Sequence, residues 1–302
     1  MNLADLPNRR VEAWKYSDLR AALAEAPLPA DAARPAGAWG ALDGVIDRLA
    51  IAQGRHAITK VRAGEKEMLI ERFDAPSPFG AYVREIQVLP GGSLTRIVVQ
   101  SGDGVDLSAA YVSLSAGASF RQIIVSEGAK LARIETHVSV EGEGADVELN
   151  GVYMVKAGRH ADLTSVIEHK VAGGTTRQLI KGVARKGGRG VFQGKIVVAR
   201  HAQKTDARQY HHGILLEEGA EIYAKPELMI HADDVQCAHG NTAGGLDEGA
   251  LFYMRSRGLS EGEARAMLIE AFLVEAIPED LEAVIRDELT GRVAAWLREA
   301  RI

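Results

Sequence analysis

A ten-residue segment, HADDVQCAHG at positions 231–240, holds the residues best suited to chemistry. If residues 235–239 are extended, the two-residue period of a strand places Cys237 and His239 on one face. A thiolate and an imidazole can bind one soft or borderline metal such as zinc or iron. Two donors do not complete a tetrahedral site, so either His231, Asp233 or Asp234 supplies the rest, or a second chain does.

Two other interpretations of this segment stay open. A lone buried cysteine usually packs as a small apolar residue, and a nearby histidine is often only hydrogen-bonded. A nucleophilic Cys237 needs an activating base, and His239 is badly placed two residues away on the same strand. His211 or His212 would have to serve instead. That pair is itself expected to be structural or solvated, because adjacent strand residues point to opposite faces.

Several common catalytic signals are absent from the sequence. It contains no GxxxxGK[ST] phosphate loop, no GxSxG nucleophile elbow, no HExxH helix and no CxxC pair. Gly194 and Lys195 lack the spacing of a phosphate loop and are followed by isoleucine. Any step driven by a nucleotide would therefore have to come from another subunit.

The composition is that of an ordinary globular protein of one large or two average domains. Apolar residues make up 46% and charged residues 25% of 302 residues, and the net charge of −5 carries no basic stripe for nucleic acid. No apolar run approaches the ~20 residues that cross a bilayer, and the first residues do not resemble a signal peptide. The single cysteine cannot form an internal disulfide. We therefore expect a cytoplasmic protein.

Three regions differ in pattern. Residues 1–60 are rich in alanine, with helical spacing around 14–23 and 42–49 and a Pro/Ala/Gly linker at 26–40 between them. Residues 61–245 alternate short apolar or β-branched runs with glycine-containing turns. Residues 246–302 return to helical spacing. The pattern predicts an N-terminal helical and linker segment, a β core and a C-terminal helical domain.

The central region is predicted to be all-β because its short runs recur about every ten residues. The clearest runs are 96–99, 111–114, 123–125, 137–140, 152–155, 195–198, 213–216 and 226–230. A phrase of Gly, Ala, a polar residue and an apolar residue begins at positions 117, 128, 144 and 219. Such a phrase suits the corner of a β-solenoid coil. The pattern alone leaves a solenoid and a sandwich as alternatives.

The C-terminal region carries its own helix signals. A first helix over 246–257 is predicted to close at Gly258, and Ser260 with Glu263 forms a capping box for the next. Pro278 is expected in the first position of a third helix. We expect these helices to cover the last coil of the β region.

The segment AKPELMIHADDVQCAHG at 224–240 closely resembles the most recognisable stretch of the SufB/SufD family. Four further segments resemble the family in the same order, at 10–17, 189–196, 202–207 and 251–258. SufB-like chains are longer, have several cysteines and carry glutamate where this chain has Gly240, so the resemblance is to the SufD branch. SufD-like chains also have a longer N-terminal helical domain, so we expect this to be a short form with only a leader.

The resemblance implies a right-handed parallel β-helix flanked by helices, which would decide between solenoid and sandwich. It implies a non-catalytic scaffold subunit of the SUF machine, which assembles iron–sulfur clusters, paired with SufB and bound to the ATPase SufC. Cys237 and His239 would then lie where a transient cluster is built at the SufB interface. The C-terminal helices would bind SufC, through Met254, Arg255, Ser256, Arg257 and Gly258. No cofactor is expected to stay on the isolated chain; a flavin in the complex and a homodimer of isolated chains stay open.

Two alternative functions are weighed against the scaffold. One is a homodimeric β-helix protein with its own metal site at Cys237 and His239. The other is a β-helix enzyme acting on carbohydrates, which needs clustered carboxylates and usually an aromatic platform in a secreted chain. The 5% aromatic content and the lack of a signal peptide argue against that enzyme.

Overall fold

The computed structural model describes residues 1–30, 33, 44–74 and 77–300, and its strands form two seven-stranded parallel sheets. Sheet A contains β1 (His56–Val61), β3 (Phe79–Val88), β5 (Val105–Leu114), β7 (Leu131–Val140), β9 (His160–His169), β11 (Arg189–Val198) and β13 (Glu221–Ile230). Sheet B contains β2 (Lys66–Phe73), β4 (Ser93–Gln100), β6 (Ser119–Ser126), β8 (Asp146–Val155), β10 (Thr175–Ala184), β12 (Asp206–Leu215) and β14 (Gln236–Gly244).

The two sheets are the faces of one β-solenoid. Successive strands alternate between the sheets, and each strand pairs in parallel with the strand two positions along the chain. Parallel neighbours need a crossover, and here the crossover is the strand in the opposite sheet. The prediction of a mainly β solenoid is confirmed, and the sandwich alternative is wrong. All the strand runs predicted from the sequence lie in strands, apart from residue 216, which follows the end of β12.

The glycine–alanine phrases form corners, as predicted. Gly117 and Gly144 adopt φ values of 62° and 67°, and β6 and β8 begin two residues later. Only glycine reaches this left-handed region without steric cost. The following Ala118 is buried, and Phe120 then points into the solenoid interior. The corner residues thus turn the chain and begin the series of side chains that face the solenoid interior.

Helices pack on part of the outer face of each sheet. The N-terminal side has 3₁₀ turns at Leu3–Asp5 and Glu12–Trp14, α1 (Leu19–Ala22) and α2 (Val45–Ala52), which pack on the first strands of sheet A. The predicted helical position 42 and most of the predicted linker at 26–40 lie outside the described residues. The C-terminal side has α3 (Glu248–Ser256), α4 (Glu261–Val274) and α5 (Ala283–Glu299). Within the described part of the chain, no helix is long and apolar enough to span a membrane.

The C-terminal helices follow the sequence signals in part. The capping box of Ser260 and Glu263 is present, and Gly258 has a φ of 97° at the end of α3. The prediction for Pro278 is wrong, because α5 begins at Ala283 with Glu282 as its N-cap. The intervening residues instead form a turn, in which Asp280 pairs with Arg121 of sheet B at 2.8 Å.

The predicted covering of the last coil by these helices is also wrong. Apolar residues of α4 and α5 pack on the outer face of sheet B, against Ile97, Ile123 and Val152 among others. These outward residues are β-branched and apolar, so they need a cover along the whole face of the sheet. The helices therefore lie along the solenoid, and the coil formed by β13 and β14 is left largely exposed.

Candidate functional site

The candidate site is the open end of the solenoid. β14 is the terminal strand of sheet B and pairs with β12, and β13 is the terminal strand of sheet A and pairs with β11. Within the described chain, the other edge of each strand has no strand partner. A free strand edge presents backbone N–H and C=O groups that can pair with another chain.

Cys237 and His239 lie on one face of β14, as the sequence predicts, and that face is the inner one. Cys237 packs against the apolar core of the solenoid, and Asn241 hydrogen-bonds to the buried His211. His239 lies between these two inward residues in an extended strand, so it shares their face. In the sheet register Cys237 lies beside Ala207, and His239 beside Gln209.

The other candidate ligands do not join these two. His231, Asp233 and Asp234 lie at the corner between β13 and β14, where Asp234 pairs with Lys204. Among the residues that the structure describes, no group of three or more His, Cys, Asp or Glu side chains is arranged to hold a metal. The chain thus offers two donors at its open end.

The surroundings of Cys237 argue against a nucleophile. The thiol is half-buried, and burial raises its pKa, opposed only in part by the backbone amide of Ala207. Reactive cysteines instead have lowered pKa values in electropositive surroundings. The thiol of Cys237 therefore lacks the activation of a nucleophile, and a metal that bound it would have to displace its proton.

A buried hydrogen-bond chain anchors β14 to the interior. The Tyr153 hydroxyl lies 2.9 Å from Nε2 of His211, and Nδ1 of His211 lies 2.7 Å from Oδ1 of Asn241. Because Oδ1 can only accept, Nδ1 carries the proton and Nε2 accepts from the tyrosine. Burial lowers the pKa of His211 to about 4, so the ring is neutral. Both of its nitrogens are engaged, and His211 cannot activate Cys237.

The outer face of β12 and β14 carries His212 and the aromatic ring of Tyr210. His212 points outward, and its Nδ1 atom forms a 2.7 Å hydrogen bond with Oγ1 of Thr242. The prediction that His211 and His212 face opposite ways is therefore confirmed. Tyr210 lies beside Gly240, and an added Cβ at 240 would be 2.9 Å from its ring. A larger residue at position 240 would therefore require the Tyr210 ring to move.

The residues predicted to bind a partner, Met254 to Gly258, form the last turn and the cap of α3. The sequence interpretation missed their exposed apolar neighbours. Phe252 and Tyr253 are 74% and 59% exposed, and Arg257 lies over the Tyr253 ring at 5.2 Å. Exposed apolar side chains grouped on one helix are typical of an interaction surface.

The N-terminal segment EAWKYS at 12–17 holds sheet A from outside. Its side chains contact three different strands: β7, β9 and β13. The contacts are Trp14 with Arg133 at 4.1 Å, Ser17 with Asp162 at 2.5 Å, Tyr16 with Tyr223 at 5.1 Å and Glu12 with Lys225 at 2.6 Å. The segment therefore braces the terminal strand β13 against the body of the solenoid.

Sequence reasoning also missed Gln209, Asn241 and the role of His211. A signal for them was present, because the spacing Ala-x-Gln-x-His at 207–211 is followed one coil later by Cys-x-His-x-Asn at 237–241. Recognising it required knowing that residues one coil apart lie side by side.

Comparison with known proteins agrees with this architecture. Residues 45–272 match the family model described as SUF system FeS cluster assembly, SufBD core domain. The chain is 37% identical to the iron–sulfur cluster assembly protein SufD of Escherichia coli over 161 residues, which cover 53% of this chain and 37% of that protein. It is 34% identical to a SufBD family protein of Synechocystis over 67% of this chain and 45% of that protein.

A plant protein extends the comparison. The chain is 33% identical to the chloroplastic protein ABCI7 of Arabidopsis thaliana, over 78% of this chain and 51% of that protein. The matched segments thus span about half or less of these relatives. Most of the chain, including the whole solenoid and the open end, lies inside the family match. The chain therefore belongs to the SufBD core family of the SUF system for iron–sulfur cluster assembly.

Proposed function

We propose that this chain is a SufD-like scaffold subunit that contributes Cys237 and His239 to a cluster-assembly site completed by a SufB partner. The observation that carries the proposal is the placement of two soft-metal donors on the inner face of an exposed terminal strand. Iron in a cluster needs four ligands in total, including its sulfides, and thiolate and imidazole are suitable protein ligands. The donors that are missing here would come from the partner.

The open end favours a partner of the same fold. β13 and β14 present free edges, and Tyr223, Met229 and Ile230 expose apolar surface on β13. A second solenoid can add its own terminal strands to such edges by backbone hydrogen bonding, while the apolar side chains are buried between the two chains. This pairing would bring partner side chains next to Cys237 and His239.

An ATPase partner is proposed at α3. The sequence has no phosphate loop, so the chain cannot use a nucleotide in that way by itself. The exposed Phe252 and Tyr253 offer, with residues 254–258, a mixed apolar and basic surface, which we assign to SufC. Motion of the ATPase would then reach the open end through α3, which follows β14 after three residues.

The proposal is tested by co-expressing the chain with SufB and SufC and reconstituting the purified complex without oxygen. We expect His239→Ala to reduce the iron and sulfide bound per complex at least several-fold, because one ligand is lost, while the three subunits still co-purify. His231→Ala is the matched control, since His231 is exposed at the nearby corner and outside the pair of donors. Equal cluster yield in both variants would contradict the proposal.

The isolated chain separates this function from the homodimer alternative. We expect no stoichiometric cluster or metal on the chain alone after reconstitution, because two donors are too few. A stable cluster with two chains per cluster would instead show that two copies complete the site between them.

A further inference from the structure

Gln209 is a buried side chain with an unused hydrogen-bond acceptor. It is fully buried, and its Oε1 atom has no hydrogen-bond partner within the described structure. Its Nε2 atom donates to the carbonyl oxygen of Gly194 at 3.3 Å. Because that carbonyl can only accept, the orientation of the amide is determined, and the orphan atom is the oxygen.

The surrounding chain makes room for this amide. An added Cβ at Gly194 would lie 2.5 Å from Cζ of Phe192, 2.6 Å from Oε1 of Gln209 and 2.7 Å from its Cδ, so glycine at 194 leaves room for both the Phe192 ring and the amide. A buried polar atom without a partner destabilises a fold, and most such atoms in proteins are satisfied. A buried amide oxygen that is left without a partner suggests a use other than packing.

Packing does not require glutamine at this position. In the stack of residues that runs through sheet B, Leu149, Gln178, Gln209 and His239 are successive neighbours. Leu149 occupies the same inward row as a buried apolar residue. Gln178 is satisfied by Ser165, to which its Nε2 donates at 2.8 Å. The solenoid interior therefore accommodates either a leucine or a glutamine whose amide is hydrogen-bonded. Gln209 differs from both, because its Oε1 atom has no partner within the described structure.

The next residue in the stack is His239. It lies one strand spacing from Gln209, about 4.8 Å, on the same inner face. The neighbouring His211 has both nitrogens engaged by Tyr153 and Asn241. The His239 side chain is exposed and lies on the same inner face as Gln209, so a ring N–H of His239 is a candidate donor for the orphan oxygen.

We infer that Gln209 is a positioning residue for His239: its Oε1 accepts one ring N–H and keeps the other ring nitrogen unprotonated toward the open end. This inference rests on the proposed ligand role of His239. A metal-binding histidine commonly donates its second ring N–H to an oxygen, which sets both the tautomer and the ring orientation. Gln209 supplies that oxygen from inside the chain, before any partner binds.

The test observes the tautomer of His239 directly. The full chain is labelled with ¹⁵N-histidine, and the His239 ring signals are assigned by their loss in His239→Gln. At a pH where the ring is neutral, we expect one dominant tautomer in the unmodified chain, with one pyrrole-like and one pyridine-like nitrogen. Gln209→Leu should move both shifts toward the averaged values of a free imidazole, whereas Gln209→Glu should preserve the single tautomer.

Gln178→Leu is the matched control, because it removes a buried glutamine from the same stack one coil away. It should leave the His239 shifts unchanged, so a general loosening of the interior cannot imitate the effect. An unchanged tautomer in Gln209→Leu would overturn the inference. The cluster yield of His239→Ala tests the ligand role separately, so failure of the proposed function and failure of the inference give different results.

Discussion

Arg133 is the centre of a buried ionic group that attaches the N-terminal segment to the solenoid. Its guanidinium contacts Asp162 and Glu135, both at 2.6 Å, and stacks on Trp14. Burial by itself would raise the pKa of Glu135, but Arg133 and the hydrogen-bonded His137 together outweigh it and lower that pKa to about 2. Such a group is costly to break, because removing one partner leaves a buried charge poorly compensated.

We expect Asp162→Asn to lower the free energy of unfolding by about 3 kcal/mol. The lower end of the range for buried pairs applies, because Arg133 keeps Glu135 as a partner. Asp103→Asn is the control: Asp103 pairs with Arg159 at 2.7 Å but is 91% exposed, and we expect a loss of at most about 1 kcal/mol. Denaturant titration of both variants measures the difference, and equal losses would argue against a structural role for the buried group.

At the scale of elements, β14 is a terminal strand held from one side. Its neighbour β12 supplies the backbone hydrogen bonds, and the chain from Tyr153 through His211 to Asn241 ties it to the interior. Under the proposed function this strand presents Cys237 and His239 to a partner. That role needs a fixed register, since a slip of one residue would turn both side chains outward. The hydrogen bond of Asn241 serves as that anchor.

Removing the anchor should loosen this strand before the rest of the sheet. Asn241→Ala leaves the buried Nδ1–H of His211 without an acceptor, at a cost of about 1–3 kcal/mol. We expect faster amide hydrogen exchange in residues 236–244, with little change in β4 to β8. Thr242→Ala is the control, because Thr242 makes its bond to His212 on the outer face. Similar exchange in both variants would mean that Asn241 is not the anchor.

For the whole molecule, two buried histidines and the half-buried His160 make stability depend on pH. Burial lowers the pKa values of His160, His169 and His211 to about 4 each. In the unfolded chain these rings titrate near pH 6.5. Between pH 6.5 and 4 the unfolded state therefore binds more protons than the folded state, and stability falls as the pH falls.

The expected slope is about 1.4 kcal/mol per pH unit for each buried histidine within that window. Urea unfolding at several pH values between 4.5 and 7.5 measures it. His169→Gln should reduce the slope of stability against pH by the amount that one histidine contributes. His201→Gln should not change the slope, because His201 lies at an exposed corner. The comparison between variants cancels the contribution of carboxyl groups. A slope unchanged by His169→Gln would show that this ring is not buried in its neutral form.

Local patterns in the sequence predict much of the fold. The corner phrase at Gly117, the capping box at Ser260 and the shared face of Cys237 and His239 each depend on residues within a few positions of one another. Pro278 is the exception, because proline is equally suited to a helix start and to a turn. There the pairing of Asp280 with Arg121 accompanies a turn, and α5 starts later.

Three features of this protein follow from its sequence alone: a mainly β chain, turns at glycine–alanine corners, and a cysteine and a histidine on one face of a strand. Those features arise from backbone sterics and the two-residue period of a strand, which are local. The position of the C-terminal helices along sheet B, and that of Gln209 beside His239, depends on tertiary packing. Residues one coil apart become neighbours because the number of residues in each coil brings the chain back beside itself. No short-range pattern encodes that number.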